Sequence, residues 1–300
     1  MHIAYAPVYR YALPPGHRFP MAKYDLLPEQ LLYEGTAVER EFVAPALLQE
    51  EDLLRTHSPD YWRRLQAGEL TRKEVRAIGF PLTPALLTRG RHIAQGTLDC
   101  ARYALAGGRV GLNVAGGTHH SFVDRGEGFC VFNDVAIAAN VLLAAREIDR
   151  ALVVDLDVHQ GNGTAALFRD EPRVFTLSFH GERNYPLRKE RSDLDVGFAD
   201  GAGDAEYLAR LAAVLPGLLD RFRPDLVFYL AGVDVLAEDK LGRLALSPQG
   251  CRERDRFVFE CCGERELPVA VSMGGGYAER LATIVDAHAA TYREARRMLG

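Results

Sequence analysis

Six short, largely apolar runs rich in β-branched residues constrain this chain more than any other feature, because most of them run straight into Gly, Asp or His. They are Met1–Ala6, Val110–Ala115, Ala151–Leu156, Arg173–Phe179, Asp225–Leu230 and Leu267–Met273. Runs this short and this apolar suit strands covered on both faces of a sheet. Between them lie longer segments with helical spacing. Pro84–Ala106 carries Leu86, Leu87, Ile93, Leu98, Tyr103 and Leu105, and Asn133–Ala145 is almost wholly Ala, Val, Ile and Leu. Ala205–Phe222, Pro248–Glu264 and Ala278–Leu299 follow. Strands alternating with helices imply βαβ units, so the expected fold class is α/β: an open, mostly parallel sheet flanked by helices. No internal repeat or low-complexity linker interrupts it, and residues 1–300 read as a single domain. Gly181–Asp204 and Gly232–Ser247 read as long loops after strand ends, and loops of such length in a compact domain are usually functional or disordered.

Composition narrows the function classes. Hydrophobic residues at 48% and charged residues at 26% are those of a globular protein, not a disordered one. A net charge of −5, with Arg scattered among Asp and Glu, gives no basic surface for nucleic acid. No apolar run approaches the ~20 residues that span a bilayer, and Met1–Pro7 lacks the pattern of a secretory signal. The five cysteines, Cys100, Cys130, Cys251, Cys261 and Cys262, form no CxxC pair. They read as reduced thiols, which places the protein in the cytoplasm and excludes a Cys-based zinc site.

The chemistry collects where strands end. Val110–Ala115 runs into Gly116-Gly117-Thr118-His119-His120, and Ala151–Leu156 passes through Asp155 into Asp157 and His159. Arg173–Phe179 ends in Ser178-Phe179-His180, Asp225–Leu230 leads to Asp234, and Leu267–Met273 leads to Gly274-Gly275-Gly276-Tyr277. In open α/β sheets the carboxyl edge is where ligands bind. Alternate strand residues point the same way, so Asp155, Asp157 and His159 can converge. Carboxylate plus imidazole suits a divalent ion such as Zn²⁺, and a catalytic site needs typically three protein ligands and an open position. Asp157 and His159 supply two, and Asp234, beside the permissive Gly232, is the best third. Two carboxylates make the ion a weaker Lewis acid, so a strong general base is needed, and His119-His120 fits that need. Tyr277 could hydrogen-bond a developing oxyanion. Each string alone has an ordinary reading: a cap, a core histidine, a glycine loop. Their coincidence at one edge is what favours a site.

These residues resemble the histone deacetylase superfamily. The similarity rests on Gly116–His120, Asp124–Asp134, Asp155–Gly163, Ala231–Asp234 and Gly274–Tyr277, in order along essentially the whole chain from His57-Ser58-Pro59-Asp60-Tyr61. The short length, the GGTHH form and the Asp124–Cys130 run look closest to class IV and its bacterial relatives. The resemblance implies an arginase/deacetylase-type fold, with zinc (or Fe²⁺) held by Asp157, His159 and Asp234. It makes His120 the general base and then acid, His119 its electrostatic partner, Asp155 the group that orients His119, and Tyr277 the polariser of the amide carbonyl. Asp155, Asp157, His159, Ser178 and Phe179 would help bind a structural K⁺. Phe129, Tyr185, Gly128 and Gly275 would shape a narrow acyl-lysine channel, with Cys130 as packing near its floor. Hydroxamate-type inhibitors should bind. The loop His17–Lys23 would lie on the acetate-release side.

Two positions depart from the family pattern. Asn162 stands where class I members carry an Asp behind the second histidine, which should raise the pKa of His120 less. Tyr185 stands where many relatives have Phe. The resemblance leaves the substrate open between acetyl- or longer-acyl-lysine in proteins and small N-acyl amines such as acetylpolyamines. For a polyamine, Glu238 and Asp239 could hold a distal ammonium, or they could be a solvated loop. A non-catalytic acyl-lysine binder would have lost a ligand, His120 or Tyr277. A two-manganese, arginase-like site would need further Asp and His ligands.

Overall fold

In a computed structural model that describes all 300 residues, eight strands form one sheet. In chain order they are β1 (His2–Ala4), β2 (Phe42–Val43), β3 (Val110–Asn113), β4 (Ala151–Asp155), β5 (Val174–Gly181), β6 (Leu194–Phe198), β7 (Leu226–Leu230) and β8 (Val269–Ser272). Their spatial order is β2-β1-β3-β8-β7-β4-β5-β6, and every neighbouring pair is parallel. The expected α/β sheet is therefore present and wholly parallel. Every residue of β3, β4, β7 and β8 is buried, the state that explains their unbroken apolar composition.

The register shows why both faces are covered. Gly111, Ala270 and Phe228 are lateral neighbours on one face, and Leu112, Val271 and Tyr229 on the other. On the first face Gly111 lets the Pro84–Tyr103 helix approach, since a Cβ there would overlap the Cys100 backbone. Asn113, two residues on, donates to Ile93 O at 2.9 Å in that helix. On the opposite face the Tyr229 hydroxyl donates to Asp255 of the Pro248–Gly263 helix. That helix packs beside Leu281–Leu299 and Asp204–Phe222. No helix is long and apolar enough to cross a membrane.

Several expectations need adjustment. Gly181–Asp204 is not one loop, because it contains β6. That strand mixes Asp195 and Gly197 with its apolar residues, as an edge strand can, so its pattern is weak. The two-residue β2 is too short to register as a pattern. The Pro84–Ala106 segment leaves α geometry after Tyr103 and unwinds through Ala104–Gly108, where Gly107 turns to φ 94°. The sequence reading also passed over the helix Lys23–Tyr33, which carries Pro28 in its interior, and four short helices: Glu50–Leu54, Pro59–Ala67, Arg72–Ile78 and Asn162–Phe168.

Candidate active site

Four adjacent strands, β3, β8, β7 and β4, release the chain at one edge, and their carboxyl ends carry the site. β3 supplies His119 and His120 through a turn at Gly116 (φ 82°) and Gly117 (φ 73°). Asp134 pins that turn: its buried carboxylate accepts Gly117 N at 3.2 Å, Thr118 N at 2.7 Å and Ser272 Oγ at 3.1 Å. Asp134 itself is placed by the helix Asp134–Ala144, whose N-cap Asn133 accepts Ala136 N at 3.0 Å.

Asp157, His159 and Asp234 come together. All three are buried, and one donor atom from each lies within 4.8 Å of the others. His159 Nδ1 is 3.0 Å from Asp157 Oδ1 and 3.1 Å from Asp234 Oδ2. The remaining oxygens are aimed by the backbone: Val158 N donates to Asp234 Oδ1 at 3.0 Å and Gly275 N to Asp157 Oδ2 at 2.8 Å. Glycine is required around this cluster. A Cβ on Gly275 would overlap Asp234 Oδ2, and one on Gly232 would lie 2.5 Å from Asp157 Oδ2. Beneath it the buried Arg254 donates to Leu156 O at 3.2 Å and Gly232 O at 2.6 Å, tying the two strand ends that present Asp157 and Asp234.

The electrostatics of this cluster call for a cation. Burial and the neighbouring Asp157 push Asp234 up to about 7. Burial alone would lower His159, but its hydrogen bonds to Asp157 and Asp234 hold it at about 10. Both directions mark a place where two buried carboxylates gather more negative charge than the interior tolerates. A donor set of two carboxylates and one imidazole, buried and convergent, fits a divalent ion of borderline hardness.

The two histidines are driven apart. His119 Nδ1 lies 2.7 Å from Asp155 Oδ2. Burial disfavours its charge, yet Asp155 and Asp157 outweigh burial and hold it at about 9. Burial, then His119 and His159, lower His120 well below its ordinary value. A neutral imidazole beside a charged one is the arrangement that separates a base from its electrostatic partner. His120 Nδ1 lies 2.6 Å from Asn162 Oδ1, and Asn162 Nδ2 donates to Glu127 Oε1 at 3.3 Å. That second bond orients the amide, so its oxygen accepts from Nδ1–H and His120 Nε2 is left as the free acceptor. Glu127 is held in turn by the Tyr185 hydroxyl. Sequence reading missed Glu127, Asp134's clamp and Arg254, none of which stands at a strand end.

Tyr277 is fixed through its backbone, whose N–H donates to Asp239 at 2.6 Å. Burial, with Asp157 and Asp234, raises its phenol well above the ordinary value, which keeps it a donor. Phe129 lies 5.9 Å from the Tyr277 ring, and the Tyr185 ring stands perpendicular to His120 at 4.9 Å. Gly128 adopts φ 57°, and a Cβ there would sit 2.5 Å from the His120 ring. Behind these residues a cavity of about 40 Å³ reaches Phe19, Cys130 and Arg89. Arg89, also missed, is buried and donates to Tyr9 O at 2.7 Å. Lys23 is buried beside the cavity, 3.4 Å from Gly274 O, and burial lowers it to about 8. Cys130 is buried, and burial pushes its thiol up, which suits packing.

Ser178 pairs in register with Asp155, its hydroxyl 3.0 Å from His180 Nδ1, and Phe179 lies in the core. Glu238 and Asp239 do not face a common pocket. Glu238 accepts the Thr283 hydroxyl at 3.1 Å, and Asp239 turns inward to the Leu241, Gly242 and Tyr277 N–H groups.

Comparison with known proteins agrees with this geometry. The histone deacetylase domain family matches residues 17–292. The chain is 43% identical over 294 residues to an uncharacterized protein of Picosynechococcus sp., covering 98% of each. It is 31% identical over 278 residues to Histone deacetylase 2 of Arabidopsis thaliana, covering 90% of this chain and 72% of that protein. It is also similar to the crystal structure of an HDAC homolog complexed with SAHA, with a TM-score of 0.85 and 25% identity, covering 99% of this chain and 84% of the other.

Proposed function

Because the chain belongs to the histone deacetylase family, we propose that residues 1–300 form one catalytic domain that hydrolyses the amide of Nε-acetyl- or longer-acyl-lysine in proteins. One observation carries the reading most directly. His120, its Nδ1–H committed to Asn162, stands beside the Asp157–His159–Asp234 cluster, its ring 5.9 Å from that of His159.

Zn²⁺, with Fe²⁺ as the alternative, would be held by Asp157, His159 and Asp234 and would supply Lewis acidity to the acyl carbonyl and to a water. The chain's residues supply the proton handling. Neutral His120 accepts the water proton at Nε2 and returns it to the leaving amine. His119, charged against Asp155, holds positive potential beside the base. Tyr277 donates its phenolic proton in a hydrogen bond to the oxygen that develops charge. Phe129 and Tyr185 wall the approach and exclude water from the acyl group. Asp155, Ser178 and Phe179, with Asp157 and His159, are the proposed structural K⁺ site, and hydroxamates are expected to bind where the acyl amide does. Five free, buried cysteines support a reducing compartment, the cytoplasm. A two-manganese, arginase-like reading would need further Asp and His ligands, and the convergent set is Asp157, His159 and Asp234 alone.

The test is a panel of acetyl-lysine and longer-acyl-lysine peptides and acetylated polyamines, offered to zinc-loaded protein with a hydroxamate control. Hydroxamate-sensitive release of the acid from a lysine peptide is expected. Inert protein with zinc bound would refute the enzyme reading.

A further inference from the structure

In front of His120, His159 and Tyr277 opens a vestibule of about 520 Å³, and Arg18, Arg76, Arg183 and Arg243 line it with no acidic residue among its walls. This runs against the balance of a chain whose net charge is −5. All four arginines are exposed. Resting on the deacylase reading, we propose that the acylated amine is presented by an anionic molecule, an acyl-lysine whose neighbouring groups are carboxylates.

Few of the nearby acids pair with the ring. Asp200 is shared between Arg243 at 3.1 Å and Arg183 at 3.8 Å, one carboxylate for two guanidinium groups. Both Glu127 oxygens are occupied, by Asn162 and Tyr185. Both Asp239 oxygens accept backbone N–H groups. Arg18 lies over the Phe129 ring at 5.0 Å, and Arg76 closes the short helix Arg72–Ile78; neither is in an ion pair.

The arginines are also placed by their backbones. His17 Nε2 lies 2.9 Å from Gly79 O and Phe129 N donates to Ile78 O at 2.8 Å, which sets Arg18 and Arg76 beside Phe129. On the Tyr185 side, Asn184 donates to Leu241 O at 2.7 Å and accepts Arg243 N at 3.2 Å, joining the segments that carry Arg183 and Arg243. One pair of guanidinium groups thus adjoins each wall of the channel mouth. Guanidinium matches carboxylate in a two-bond fork. A cleft of one sign raises the encounter rate of the opposite sign and repels its own. An acetylated polyamine, cationic at its far end, meets the wrong potential. This distinguishes the two substrate classes that share the same amide.

The experiment compares three acetyl-lysine peptides of one length, flanked by Glu, Gln or Lys, and Nα-formyl-Nε-acetyl-lysine, whose one charge is its carboxylate, with zinc-loaded protein at low and high salt. The Glu-flanked peptide should exceed the Lys-flanked one by about tenfold or more in kcat/KM at low salt, mostly through KM, and salt should narrow the gap. If that monoanion equals the Glu-flanked peptide, one carboxylate suffices and the natural source is a small molecule. The double variant Arg18→Glu with Arg76→Glu should bring the Glu-to-Lys ratio to about one or below. Equal rates on all three peptides, or preference for Lys, would overturn the inference while leaving the deacylase reading intact. Zinc-loaded protein inert towards every peptide would remove both.

Discussion

Replacing Asn162 by Asp separates the two jobs of this side chain, because only one of them survives. The new carboxylate still accepts His120 Nδ1–H, so the base stays oriented. The amide donor to Glu127 is lost, and two carboxylates then face each other across a contact that was a hydrogen bond. At an effective dielectric constant of about 20, unit charges at the 3.3 Å of that contact repel by about 5 kcal/mol. Glu127 is half-buried, and solvent screening should leave about 2 kcal/mol of destabilisation. That corresponds to a Tm roughly 4 °C lower at pH 8, for a chain of this size. The repulsion needs both groups ionised, so the deficit should shrink in acid. Meanwhile a charged partner favours the protonated imidazole, so the acid limb of the kcat/KM profile should move to higher pH. Adding Glu127→Gln restores a donor to the carboxylate and should recover the Tm while the shifted profile remains. Melting curves at pH 8 and 4 and a pH–rate profile of both variants decide it. If Asn162→Asp melts like the parent at pH 8 and Glu127→Gln changes nothing, the Tyr185–Glu127–Asn162–His120 chain does not carry the coupling argued here.

Three further outcomes are expected. Tyr277→Phe should lower kcat by about 10²–10³ with zinc content unchanged; a rate equal to the parent enzyme rules out its role at the oxyanion. Gly275→Ala would drive a methyl group into Asp234 Oδ2 and to 2.8 Å from Asp157 Oδ2, so metal titration should show greatly weakened binding while circular dichroism stays native. His57 is buried, with Nδ1 donating to Phe122 O at 2.9 Å and Nε2 accepting Asn133 N at 3.0 Å. Burial lowers its pKa from 6.5 to about 4, so the unfolded chain binds the extra proton first. Stability is complete above pH 6.5 and declines towards pH 4, by about 2 kcal/mol between pH 7 and 5. His57→Gln should flatten that part of the Tm–pH curve, and an unchanged slope would show that other groups set it.

Much of the fold and of the candidate metal-binding cluster was legible along the chain. The central strands are buried on both faces, so their apolar runs stand out without any tertiary information, and each ends where a polar residue must reach the sheet edge. Asp157, His159 and Asp234 follow from that rule, as do His119, His120 and Tyr277. β6 escaped because an edge strand tolerates Asp195 and Gly197. The helix Lys23–Tyr33 escaped because Pro28 and a polar face blur its period.

What the sequence by itself determined was therefore a list of strand-end residues and the class of sheet that presents them. Only the tertiary structure decided which of these side chains meet, and the roles proposed for them rest on those contacts. The sheet order puts β3, β8, β7 and β4 side by side, though they are far apart in the chain. It sets Asp155 against His119 and Asn162 against His120, so that two adjacent histidines part in charge. It also gathers Arg18, Arg76, Arg183 and Arg243, scattered and unremarked in the sequence, around one mouth. Charges act through space, and no spacing along the chain encodes that distance.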